Sequence, residues 1–172
     1  MYNKFAKKII VKEVKMQQYI TDAMLGTLTR WLRILGYDVI YSRDYSDGQI
    51  IKIAIKSKRT IITRDKVLYY KAKKLNLDAY LVESAEMPKI LAELYSKKLI
   101  DLELNPEKSR CPECNGKLIK ITDKNLIKSR VPPGALKTYN VFYLCKRCGQ
   151  VYWEGGHWKN IRRIVNEAKS YL

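Results

Sequence analysis

Two hydrophobic periods alternate along the chain between Gln18 and Leu99. Gln18-Tyr19-Ile20-Thr21 is rich in aromatic and β-branched residues, as a strand requires. Leu25, Leu28, Leu32 and Leu35 then recur at helical spacing and stop at Gly36, the residue that commonly ends a helix. Asp38-Val39-Ile40-Tyr41 predicts the second strand, and Ser46 or Asp47 is placed to cap a helix carrying Ile50, Ile51, Ala54 and Ile55. Thr60-Ile61-Ile62-Thr63, β-branched throughout, predicts a central strand covered on both faces. A helix with Leu68, Ala72 and Leu75 follows and stops at Asn76, before a fourth strand, Ala79-Tyr80-Leu81-Val82. Ser84 and Pro88 open a last helix whose Ile90, Leu91, Leu94, Tyr95 and Leu99 point inward. Four strands alternating with four helices over short connections predict an α/β fold, a parallel sheet flanked by helices.

The pattern changes after Leu99. Leu102 to Ser109, with Asn105 and Pro106, reads as a linker. Beyond it stand Cys111-Pro-Glu-Cys114 and Cys145-Lys-Arg-Cys148, with thirty residues between them. A two-residue gap lets both thiolates of a pair turn onto one tetrahedral ion, and Asn115-Gly116 and Gly149 supply the tight backbone that follows each pair. Leu118 to Ile121 and Tyr139 to Tyr143 read as ribbon strands, and Val131-Pro-Pro-Gly134 as a turn. Two redox-active pairs are the competing reading, but such motifs follow a strand inside a βαβ unit, which this segment lacks. Four cysteine ligands leave no open position, so one structural zinc is expected. His157, the only histidine, lies between aromatics in Tyr152-Trp-Glu-Gly-Gly-His157-Trp, where packing competes with a chemical role. The expected divisions are an N-terminal extension over 1–16, read equally as strand, helix or basic arm, the α/β domain over 17–104, and the small zinc ribbon over 105–172.

Charge narrows the choice of partner. The 172 residues carry a formal +17, divided as 21 Lys and Arg against 13 Asp and Glu up to Lys108, and 13 against 4 beyond it. A field of that sign gathers polyanions and releases their counterions. No segment approaches the apolar length of a membrane span, and no helix pairs a large apolar face with a basic one, so nucleic acid is expected rather than a membrane. Lys12 interrupts the first apolar run after three residues, too soon for a secretory segment, and the paired cysteines suit a reducing compartment; a cytoplasmic location is expected.

Aspartates stand where the predicted strands end. Asp22 follows the first, Asp44 and Asp47 lie after the second, and Asp65 follows the third; Asp38 and Asp78 precede theirs and are set aside. Ligands of open parallel sheets bind at the carboxyl ends of strands. Acids gathered there in so basic a chain make chemical sense around Mg²⁺ or Mn²⁺, one or two ions serving phosphodiester hydrolysis. Each of Asp44, Asp47 and Asp65 also fits a plain helix cap. Arg64, next to Asp65, is a candidate phosphate ligand, as are Arg30 and Arg33, which lie off the leucine stripe. In the ribbon, Tyr139, Tyr143, Tyr152, Trp153 and Trp158 interleave with cations that include Lys146 and Arg147, a pattern suited to stacking bases while following their phosphates.

Taken together, Thr21-Asp-Ala-Met-Leu-Gly26, Leu28-Thr-Arg-Trp-Leu-Arg33, Leu35-Gly-Tyr-Asp38, Thr63-Arg-Asp65, both cysteine pairs and Tyr152-Trp-Glu-Gly-Gly-His157 resemble the Mut7-C RNase domain family. The resemblance implies a PIN-like nuclease fold with a C-terminal zinc ribbon and an acidic Mg²⁺ or Mn²⁺ site built from Asp22, Asp65 and Asp47, with Asp44 as a neighbour. Gly48 stands where that family often has an acid, and Gly155 or Gly156 where it more often has serine. The resulting expectation is a metal-dependent endoribonuclease whose ribbon grips RNA. The rivals are a non-catalytic zinc-containing RNA-binding protein of RNA processing or ribosome assembly, and a DNA-reading ribbon protein.

Overall fold

The computed structural model describes residues 17–172; the expectations for the N-terminal extension lie outside the described residues. Four strands, β1 (Gln18–Thr21), β2 (Asp38–Ile40), β3 (Thr60–Thr63) and β4 (Ala79–Leu81), form a parallel sheet in the order β2-β1-β3-β4. Because side chains alternate across a strand, Tyr19 and Ile62 face one side while Ile20 and Ile61 face the other, and all four are fully buried. Helices α1 (Gly26–Ile34) and α4 (Met87–Ser96) cover the first face through Leu28, Leu32, Ile90, Leu91 and Leu94. The second face is closed by α2 (Asp47–Ser57) and α3 (Lys66–Lys74) through Ile50, Ala54, Leu68 and Ala72. The chain leaves β1 for one edge, β2, then returns to the other side, β3. The strand order therefore reverses between β1 and β3, and a crevice opens at their carboxyl ends.

Local chemistry explains the boundaries. Ser46 and Gln49 form a reciprocal capping box that starts α2, and Asp65 caps α3 through the amides of Val67 and Leu68. Gly36 has φ +99° and closes α1; a Cβ there would meet the carbonyl oxygen of Lys108 at 3.0 Å. One inward assignment is corrected, because Tyr95 is exposed; Ile55 of α2 and Leu75, which follows the last turn of α3, are exposed as well. Glu86 rather than Ser84 precedes the first turn of α4.

Beyond Leu99 the chain stays on the protein. Leu102 is buried among the residues of the first face, and Ser109 donates its hydroxyl to the carbonyl of Ile34. An antiparallel sheet follows, β5 (Leu118–Ile121), β6 (Phe142–Cys145) and β7 (Val151–Tyr152), in the order β5-β6-β7. The expected turn over 131–134 is instead the entry to a short helix, α5 (Pro133–Thr138), because proline at the first helical positions needs no amide partner. Its small core is Ile121, Ile127, Val131, Phe142 and Val151. Helix α6 (Gly156–Lys169) then returns to α4, and Val165 and Ala168 join the core of the parallel sheet.

Candidate nuclease site and zinc-type cluster

The crevice between β1 and β3 is lined by two aspartates joined through one threonine. Asp22, only 6 % exposed, directly follows β1. Its Oδ1 accepts from the Met24 amide at 2.8 Å, and its Oδ2 accepts from the Arg64 amide at 2.9 Å and from the Thr63 hydroxyl. The same Thr63 oxygen accepts from the amide of Asp65 at 2.9 Å. Asp65 uses Oδ1 to cap α3, at 2.7 Å from the Val67 nitrogen, while its Oδ2 makes no hydrogen bond among the described residues. Sequence gives Thr63 no site role of its own, placing it at the end of a β-branched strand and at the head of the Thr63-Arg-Asp65 motif.

The other expected acids are arranged differently. Asp47 begins α2, and its Oδ2 lies 3.2 Å from Nζ of Lys71 on α3, a half-exposed ion pair that no periodicity announced. Asp44 is exposed, with its amide directed to Ser42 Oγ. Among the described residues, the four cysteines are the one group of three or more His, Cys, Asp or Glu whose ligand atoms lie within 4.8 Å of one another. The expected convergence of three carboxylates is thus resolved into a close relation of Asp22 with Asp65, and a separate Asp47–Lys71 pair. A cavity of about 620 Å³ lined by Gln17, Tyr37 and Asp101 lies at the opposite, amino end of the sheet, away from these acids.

The cysteine cluster is built by two turns facing each other. Cys111 precedes β5 and Cys145 ends β6, and the Sγ atoms stand 3.4 Å apart for Cys114–Cys145 and 3.6 Å for Cys111–Cys148. A tetrahedral thiolate site with zinc–sulfur bonds of about 2.3 Å sets its sulfurs about 3.8 Å apart, so spacing and donor type both fit zinc. Burial alone would raise the Cys145 thiol, but the backbone amides of Cys148 and Arg147 aimed at its sulfur outweigh this and bring it down to about 7. Burial pushes Cys114 up to about 12. Tyr152 sets its hydroxyl 3.1 Å from Cys111 Sγ, an outer partner for that ligand. Gly116 has to be glycine: a Cβ would stand 2.7 Å from Cys145 Sγ and 3.0 Å from the Arg147 Cβ.

The arginines fall into unlike environments. Arg33, expected on the outer face of α1 as a phosphate ligand, is 5 % exposed, and the first cysteine turn covers it. Its guanidinium donates to the carbonyls of Val39, Pro112 and Glu113, so it is a structural clamp and no phosphate ligand. Arg30 is exposed and pairs with Glu113 at 3.0 Å. Arg64 lies beside the crevice, with one terminal nitrogen donated to the Ser84 carbonyl. Lys146 and Arg147 are exposed in the second cysteine turn, and Arg147 donates to the Cys114 carbonyl at 2.8 Å. His157 is exposed at the start of α6.

No helix among the described residues is long and apolar enough to cross a membrane. No curated protein and no solved structure matches the chain. The family model described as Mut7-C RNAse domain matches residues 17–165, a span that includes the crevice aspartates and all four cysteines. That family implies a ribonuclease, with RNA as its substrate, and it is to the Mut7-C RNAse domain family that this chain belongs.

Proposed function

We propose that the protein is a divalent-metal-dependent ribonuclease that cuts at the β1–β3 crevice, with the four-cysteine unit helping to hold the RNA. The observation that carries this reading is the link from Asp22 through Thr63 to Asp65, at the ends of the two central strands where the topology reverses. A buried aspartate held by two amides and a hydroxyl is oriented before any ligand arrives. Magnesium binds through one or two carboxylates together with water and substrate phosphate, so Asp22 and the free Oδ2 of Asp65 are a sufficient donor set in kind. Asp47, on the neighbouring helix, is the third candidate once its exposed pair with Lys71 is exchanged. Bound there, Mg²⁺ or Mn²⁺ supplies an activated water and neutralises phosphate charge. Arg64 and Lys71 bring positive charge to the two sides of the crevice and orient the backbone of the RNA.

A second reading has its own support. Both oxygens of Asp22 are already engaged, and Asp47 is paired with a lysine, as a non-catalytic RNA-binding protein would tolerate. Cleavage of labelled single-stranded RNA with Mn²⁺, with and without EDTA, separates the two. Asp22→Asn is expected to lower the rate by more than about 100-fold, beyond the usual cost of losing an outer partner, while RNA binding persists. Equal rates for wild type and variant, or activity indifferent to EDTA, would leave the binding protein as the surviving reading.

A further inference from the structure

We propose that Glu93 of α4 is a positioning residue for the RNA-gripping guanidinium of Arg64, acting through the loop that follows β4. This rests on the ribonuclease reading and deepens it, by assigning what holds the phosphate-binding cation beside the crevice. Arg64 is tied down at two places. Its backbone amide donates to Asp22 Oδ2 at 2.9 Å, and one terminal nitrogen of its side chain donates to the Ser84 carbonyl. No other donor of that guanidinium has a partner among the described residues, so the Ser84 carbonyl fixes the direction of the fork.

Ser84 is itself held from α4. The ladder between β3 and β4 ends where the Val82 amide donates to the Thr63 carbonyl at 2.8 Å, and from Glu83 onward the chain has left the sheet. Glu93 takes over there. Its Oε1 accepts from the Glu83 amide and its Oε2 from the Ser84 amide, both at 3.3 Å, and Oε1 also accepts the Tyr80 hydroxyl at 2.6 Å. Glu86, the residue before the first turn of α4, makes no side-chain cap, so the start of this loop is anchored by Glu93. Burial alone would raise the Glu93 carboxyl, but these donors hold it below the usual carboxylate range, while burial and Glu93 together push the Tyr80 phenol up. The acceptor thus stays charged and the phenol stays a donor, the combination that makes the stronger hydrogen bonds.

The chemistry of the acceptor gives the proposal a sign. A carboxylate that accepts on both oxygens has no copy in glutamine, whose amide nitrogen would face one of these N–H groups, donor against donor. Released from the Ser84 carbonyl, the Arg64 side chain regains its rotamers and the planar fork loses its aim at a phosphate. Glu93 is negative and repels a polyanion, so neutralising it by charge alone tightens RNA binding. Weaker binding on neutralisation is therefore the mark of a residue that acts through Arg64.

The test is a double-mutant cycle in the full chain between Glu93→Gln and Arg64→Ala, run below the unfolding midpoint of every variant. Affinity for a short labelled single-stranded RNA is measured over a series of salt concentrations with no added Mg²⁺ or Mn²⁺, and initial cleavage rates are measured with Mn²⁺. Arg64→Ala is expected to reduce the salt slope by about 0.7, one phosphate contact on a single strand. Glu93→Gln is expected to weaken binding by about 3- to 5-fold and to raise KM by a similar factor with kcat within about 2-fold, and to change nothing further in the Arg64→Ala background. Tighter binding by Glu93→Gln overturns the proposal, as does an equal loss in both backgrounds. Should Glu93→Gln fail to fold, Tyr80→Phe is carried through the same cycle; a loss of about 2-fold that vanishes without Arg64 supports the proposal, and an unchanged affinity overturns it. Coupled binding losses in a chain that cleaves nothing keep Glu93 as a positioning residue and remove the ribonuclease reading. Cleavage that depends on Asp22 with uncoupled losses does the reverse.

Discussion

Asn115, the residue after the first cysteine pair, donates its side-chain amide to Asp38 Oδ1 at 2.9 Å and accepts the backbone N–H of Val39 at 3.2 Å. One side chain thus ties the cysteine turn to the edge strand of the parallel sheet. Asn115 has φ 65°, a conformation that asparagine tolerates better than most residues. Asp38 also receives Arg59 at 2.9 Å and Arg110 at 3.4 Å, and Arg110 Nη1 donates to the Asn115 carbonyl. The backbone of the cysteine turn and the sheet edge are therefore one hydrogen-bonded body.

Replacing Asn115 with alanine orphans the amide of fully buried Val39 and places a Cβ residue without a compensating side-chain bond at positive φ. The expected loss is about 1–3 kcal/mol, read as a lower midpoint in urea unfolding of the zinc-loaded protein. An unchanged midpoint would mean that the turn and the strand are not coupled.

Asp38 makes this clamp sensitive to acid. Burial alone would raise its carboxyl, but hydrogen bonds from Arg59 and Asn115, with the charges of Arg59 and Arg110, hold it below the ordinary aspartate value. A depressed carboxyl stabilises the fold fully above the unfolded value of about 3.9, and that contribution disappears as pH falls through the lower folded one. The stability gap between wild type and Asp38→Asn should therefore be widest near neutrality and shrink on acidification below about pH 4. A gap that stays constant down to the acid limit would contradict the assignment.

Thr63→Val keeps the shape of the side chain while removing the hydroxyl between Asp22 and Asp65. Ribonuclease activity should fall about 10–100-fold, as for loss of an outer partner. Divalent-ion dependence should shift to higher Mn²⁺ concentration, measured by titrating initial rates. If the rate and the Mn²⁺ midpoint both match wild type, Thr63 does not organise the crevice.

Gly116→Ala drives a methyl group against Cys145 Sγ and the Cβ of Arg147. Metal analysis of the wild type should give one zinc per chain, and the variant should lose zinc about 10-fold or more readily to a chromogenic chelator. Equal retention would show that the turn moves aside without disturbing its sulfurs.

Arg33→Lys should act on stability and leave RNA affinity alone. The planar fork that reaches Val39, Pro112 and Glu113 together has no equivalent in an ammonium group. A loss of about 2 kcal/mol in unfolding, with an unchanged salt dependence of RNA binding, is expected. A reduced salt slope would return Arg33 to the phosphate-contacting group.

Sequence by itself determined the alternation of strands and helices, because the two hydrophobic periods are local and each element's buried face is written into neighbouring residues. It also determined the cysteine cluster, since a two-residue gap is a local metal-binding geometry. Asp22 and Asp65 could be placed at one end of the sheet, since all strands of a parallel sheet end on the same side. Tertiary structure alone decided what those groups meet. Arg33 has an outward-facing pattern on α1, yet the turn carrying Pro112 and Glu113, almost eighty residues later, covers it. Asp38, set aside for lying before its strand, became the anchor for Asn115, and Asp47 was paired with Lys71 across two helices. The return of α6 to α4 is equally invisible in local pattern. Each of these depends on which surfaces dock after the elements exist, and docking is governed by shape and unmatched hydrogen-bonding groups that periodicity does not encode.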